Sequence, residues 1–195
     1  MTGMRFVLAG LVTLACAGAS TAQERSVDQQ IEDALLAAPS SMRDAAVVLG
    51  YGGAPRADDA LTTLREGSGE LICLADDPGE EGFHAACYHR SLDAYMAIGR
   101  RLRAAGADRS EVMDARYAAL QEGRITMPDR ATLYSVSAES APEPDRDTLP
   151  GERRLVVVYV PGATGEELGL PTRPEGDAPW LMLPGTPWAH IMIGR

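Results

Sequence analysis

The sequence has no lysine and no asparagine. Without asparagine there is no acceptor for N-linked glycosylation. Without lysine there is neither a Ser-x-x-Lys nucleophile nor a Gly-x-x-x-x-Gly-Lys phosphate cradle, and a Gly-x-Ser-x-Gly elbow is missing as well. Cysteine is limited to 3 residues, none of them in a Cys-x-x-Cys. Beyond residue 22 no stretch offers 18 uninterrupted apolar residues, so a stable membrane span is not expected. Basic residues are in the minority: 18, all arginine, against 28 acidic ones, for a formal net charge of -10. That balance excludes a nucleic-acid phosphate backbone as the natural partner.

What is present fits a single domain. The 195 residues are 45% hydrophobic and 24% charged, enough for one sizeable core. The first 22 residues read as an export signal. Arg5 supplies the positive end, Phe6 to Ala17 is a largely apolar run, and Ser20-Thr21-Ala22 offers small residues for cleavage. Such a run spans roughly 18 Å as a helix, short of the ~30 Å hydrocarbon core. A competing reading lipidates Cys16 after Thr13-Leu14-Ala15, where Thr is a poor first residue. Exclusive use of arginine points to GC-rich bacterial coding, so export means periplasm or medium. Cleavage near Ala22 leaves residues 23–195 as one globular domain with two cysteines, Cys73 and Cys87. In an oxidising compartment an isolated pair is most simply a disulfide.

The patterning predicts an α+β class: a small, mostly antiparallel sheet with two or three helices packed on one face. Ser26 and Gln29 form the pattern of a capping box, Ile31, Ala34, Leu35 and Ala38 follow at helical spacing, and Pro39 stops the run. Ala45 to Leu49 reads as a strand. Leu61–Leu64 and Glu70–Leu74, with Gly67-Ser68-Gly69 between them, read as a hairpin. Helices are expected from Ser91 to Gly106 and from Ser110 to Gly123, the second with Val112, Met113, Tyr117 and Leu120 inward. Ala131–Ser137 is a strand and Ala138–Glu152 a solvated loop. Leu155–Val160, apolar on both faces, is a central strand, and Trp188–Ile193 closes the fold after a Gly/Pro-rich passage.

Pro179-Trp180-Leu181-Met182-Leu183-Pro184-Gly185-Thr186-Pro187-Trp188-Ala189-His190-Ile191-Met192 resembles a block found in a family of exported bacterial proteins with no assigned activity. Leu64-Arg65-Glu66-Gly67, followed by Cys73 and Cys87, resembles an earlier block of that family. The resemblance implies a domain type and carries no chemistry with it.

His190 is the sharpest candidate residue: an imidazole among apolar neighbours at a strand end beside a constrained turn suits a general base or a ligand contact. It is set against a half-buried histidine satisfied by backbone carbonyls. Trp180, Thr186, Trp188 and His190 together outline a candidate ligand-binding pocket. A metal site built from His84, His89 and His190 is not favoured: His84 and His89, five apart, would converge only across a turn, and there is no His-x-His or His-x-x-x-His. Asp76-Asp77-Pro78-Gly79-Glu80-Glu81 reads as a solvated acidic turn in preference to a Ca²⁺ loop. Arg100, Arg101 and Arg103 read as neutralising a helix end. No motif requires a cofactor. The function expected is an exported domain binding a small molecule or a protein partner. The alternative is a hydrolase or lyase with His190 as general base and an unidentified carboxylate.

Overall fold

The computed structural model describes residues 25–52, 61–143 and 149–194, so the expected export signal and Cys16 lie outside the described residues. Among the described residues eight strands form one sheet: β1 (Val47–Gly50), β2 (Thr62–Arg65), β3 (Leu71–Leu74), β4 (Phe83–His89), β5 (Ala131–Ala138), β6 (Arg153–Tyr159), β7 (Trp180–Met182) and β8 (His190–Gly194). Four α-helices accompany them: α1 (Val27–Leu35), α2 (Asp93–Ala104), α3 (Arg109–Gln121) and α4 (Gly165–Leu168). The strand order is β2-β1-β3-β4-β5-β6-β8-β7.

This overturns the small, mostly antiparallel sheet with helices on one face. The sheet is large and mixed, because β1 runs parallel to β3 and antiparallel to β2. The expected hairpin between residues 61 and 74 does not form; β1 lies between its two arms. Gly67 and Gly69 serve a crossing in place of a turn. A Cβ at Gly67 would stand 2.4 Å from the Ala45 carbonyl oxygen, and the Gly69 amide donates to that same oxygen at 2.7 Å. Only glycine lets the link pass so close over the chain that leads into β1.

Strand alternation sorts the core onto two faces. Val48, Cys73, Ala85, Cys87 and Val136 pack under α1 with Ala34 and Ala38. Leu49, Ile72, Tyr88, Val157 and Tyr159 pack on the opposite face under Leu92 and Tyr95, with Ile125 and Met127 from the segment after α3. Helices therefore cover both faces. Full burial of the aliphatic members, such as Val48, Leu49 and Val136, stabilises the fold by roughly 1.5–3 kcal/mol each. Cys73 and Cys87 are direct cross-strand partners, fully buried and joined in a disulfide.

The helices carry the next corrections. The first has the expected box, with Ser26 accepting from the Gln29 amide. The third is capped by Asp108, not Ser110, in a reciprocal box with Glu111. Its buried face is Val112, Arg116 and Ala119, while Tyr117 is exposed. Arg100 does not neutralise a helix end. It is buried, bonded to the Tyr88 hydroxyl and to Asp93 at 3.0 Å. The final strand begins at His190 and not at Trp188.

Candidate functional site

The helices leave one end of the α2 side of the sheet uncovered. Register defines what stands there. His84 pairs with Ser137 and Ser137 with Arg153 in one row; Ser135 pairs with Leu155 and Leu155 with Gly194 in the next. The row after that, Leu133, Val157 and Met192, packs into the core beneath α2. Side chains two apart on a strand share a face, so an imidazole, two hydroxyls and a guanidinium are delivered to one surface.

That surface is concave. His84, Ser135, Ser137, Arg153, Arg154, Leu155 and Gly194 line an open hollow of about 510 Å³. A second, of about 480 Å³, adjoins it. It shares Leu155 and Gly194 and adds Trp180 and the Pro174–Ala178 loop with Asp177. Together they run from β4 across the sheet to its β7 edge.

Of the polar side chains lining the first hollow, all but Arg154 are unspent. Among the described residues neither serine hydroxyl, nor the exposed Arg153 guanidinium, nor the His84 ring makes a side-chain hydrogen bond or ion pair. Only the His84 backbone amide is engaged, donating to Asp76 Oδ1 at 2.8 Å. His84 is exposed, yet desolvation by the surrounding protein, then the positive charge of Arg103 on α2, lower its pKa from 6.5, so the ring is neutral at pH 7. Neighbouring Arg154 is already committed, to Glu152 and to the Leu36 carbonyl.

The residues singled out at the C-terminus are only partly brought together. Trp180 lines the second hollow, whereas Thr186, Trp188 and His190 line neither. The Thr186 hydroxyl donates to the Leu183 carbonyl at 2.8 Å. It fixes a turn in which Leu183 adopts φ 56°, a left-handed conformation that costs a non-glycine residue about 1–2 kcal/mol. Trp188 meets Tyr117 edge to face at 5.8 Å.

His190 Nδ1 lies 2.8 Å from the Trp188 carbonyl oxygen. A carbonyl only accepts, so Nδ1 carries the proton and Nε2 the lone pair. The ring lies 5.1 Å from Tyr159, and burial lowers its pKa from 6.5 against the opposing effect of the Trp188 carbonyl. No carboxylate among the described residues bonds to it. The arrangement is that of a half-buried histidine satisfied by backbone.

Behind His190 an aromatic row continues inward. Tyr159 meets Tyr95 edge to face, and the Arg116 guanidinium lies 4.1 Å over the Tyr95 ring. Desolvation pushes the Tyr159 pKa up to about 12. Arg116 Nε donates to the Tyr95 carbonyl at 3.0 Å. The row is packed core.

Of the remaining histidines, His89 is a cap, its Nδ1 accepting from the Ser91 amide. Among the described residues no three side chains of His, Cys, Asp and Glu converge as a metal set would. No helix among them is long and apolar enough to cross a membrane.

Sequence reasoning missed His84, Ser135, Ser137, Arg153, Leu155 and Gly194 as a group. One signal was there: Ser135 and Ser137 interrupt an apolar strand at a period of two, which marks a single polar stripe. Compared with known proteins, the chain matches no family model, no curated protein and no solved structure.

Proposed function

We propose that this chain is an exported binding domain for a small molecule, and that the molecule lies across the open end of the α2 side of the sheet. One observation carries the reading. Two hollows share a floor at Leu155 and Gly194, producing a trough with polar side chains at one end and Trp180 at the other. Ligand sites in proteins are concave and mostly apolar, with a few fixed polar groups, and this surface has that composition. Export is supported by the buried Cys73–Cys87 disulfide, a bond that persists in oxidising compartments such as the periplasm.

The catalytic alternative has less support. A general base is held in its reactive tautomer by a partner and aimed at a proton in a cleft. His190 has the tautomer, but its partner is a backbone carbonyl and it lies outside both hollows.

A thermal-shift screen of small metabolites against three forms tests the reading. A hit should stabilise the parent chain and His190→Gln alike, by roughly 2.7 kcal/mol at 100 times its dissociation constant. Leu155→Arg, which fills the shared floor, should abolish the shift. Hits that survive Leu155→Arg and vanish with His190→Gln would refute this placement.

A further inference from the structure

The trough is chemically polarised, and its polarity narrows the ligand class. This step rests on the binding reading above and deepens it. At the β4–β6 end stand Arg153, Ser135, Ser137 and neutral His84, beside Arg154 with its own partner Glu152, and no carboxylate lines that hollow. Arg153 is a pure donor, the hydroxyls donate as well as accept, and a neutral imidazole offers one N–H. Four side chains able to donate, without partners of their own, stand on three adjacent strands. Among the described residues the Arg153 guanidinium has no counter-charge of its own. At the other end the floor is Leu155 and the wall Trp180, with Asp177 beyond. That end accepts an apolar or aromatic body, and Asp177 repels a second negative group.

We infer that the ligand is an amphipathic organic carboxylate. Its head lies against Arg153, Ser137 and His84, and its apolar body runs over Leu155 toward Trp180. The guanidinium fork matches a carboxylate in two parallel hydrogen bonds, whereas a neutral amide gains only ordinary ones. Hydrogen bonds to charged groups are the stronger class.

The test compares an acid with its isosteric amide. The mature chain carrying Trp188→Phe keeps Trp180 as its single tryptophan and reports on the body end directly. Titration with 3-phenylpropionate at low ionic strength should change Trp180 emission saturably. 3-Phenylpropionamide should need about tenfold higher concentration or more. Arg153→Gln, at an exposed position, should weaken the acid about tenfold or more and the amide much less, closing most of the gap between them. Should Trp188→Phe fold poorly, the amide resonances of Ser137 and Leu155 in the parent chain serve as the readout. If acid and amide bind equally, or if Arg153→Gln leaves the acid's affinity unchanged, the carboxylate assignment is overturned while the binding site stands. If neither compound perturbs Trp180, Ser137 or Leu155, the site falls with it.

Discussion

At the scale of single residues, the charged and titratable groups divide into those that hold the fold and those left over. Arg116 belongs to the first kind. Its guanidinium fits between α2 and α3 only because residue 99 is glycine; a Cβ there would stand 2.5 Å from a terminal nitrogen of Arg116 and 3.1 Å from its Cζ. Gly99→Ala should therefore cost up to about 2 kcal/mol, the overpacking against the guanidinium being partly offset by the ~1 kcal/mol that Ala gains over Gly inside a helix. The double variant Gly99→Ala/Arg116→Met should cost less than the sum of the singles, because removing the guanidinium frees the space. Denaturant unfolding of the four proteins measures the coupling. His84 and His190 set the pH response. Both hold a proton less tightly when folded, below their ordinary 6.5, so below that value the unfolded chain binds more protons than the folded one. The stability they contribute is present above about pH 6.5 and is lost as pH falls through their folded values. Asp33 and Asp76, raised above 3.8 by burial, act in the opposite sense and regain stability as pH falls toward 3.8. Melting temperature should thus drop between pH 7 and the acid side of 6.5. His84→Gln/His190→Gln should flatten that drop, and an unchanged slope would remove the histidines from the account.

At the scale of elements, much was legible and the failures share a cause. Hydrophobic spacing and glycine or proline stops located the three longer helices, because those signals are local, but of the expected caps only Ser26 holds: Asp108 caps α3 and α2 has no side-chain cap. The disulfide followed from the cysteine count and the expectation of an oxidising compartment. β4 carried no such signal: Phe83-His84-Ala85-Ala86-Cys87 is poor in β-branched residues, and its place as a strand comes from pairing with β3 and β5. The crossing at Gly67 was read as a turn, since glycine marks both and only the distant Ala45 carbonyl distinguishes them. The trough was illegible for the same reason: Ser137 and Arg153 meet through strand register across a long loop. Two measurements address this scale. Gly67→Ala should destabilise by about 1–3 kcal/mol, as the carbonyl it strikes is backbone and yields little. Loss of the disulfide through Cys73→Ala/Cys87→Ala should cost about 3 kcal/mol, the value for closing a loop of this length. Because both cysteines are fully buried, a thiol reductant should leave the folded chain's mass unchanged and add two hydrogens only after denaturation.

At the scale of the molecule, an eight-stranded sheet is wider than the helices that cover it. One face is closed by α1 over β1, β3, β4 and β5, and the other by α2 over its central rows. The exposed remainder on the α2 side is lined with unpaired polar groups at one end and an aromatic at the other. That contrast is why function is proposed there and not at the His190 turn, where the Thr186 hydroxyl and His190 Nδ1 have found backbone partners. Amide chemical-shift mapping of the isotope-labelled chain, titrated with 3-phenylpropionate, tests this most directly. The largest perturbations should fall on Ser135, Ser137, Leu155 and Gly194, with residues 184–190 unmoved; perturbations centred on 184–190, with β5 and β6 silent, would contradict it.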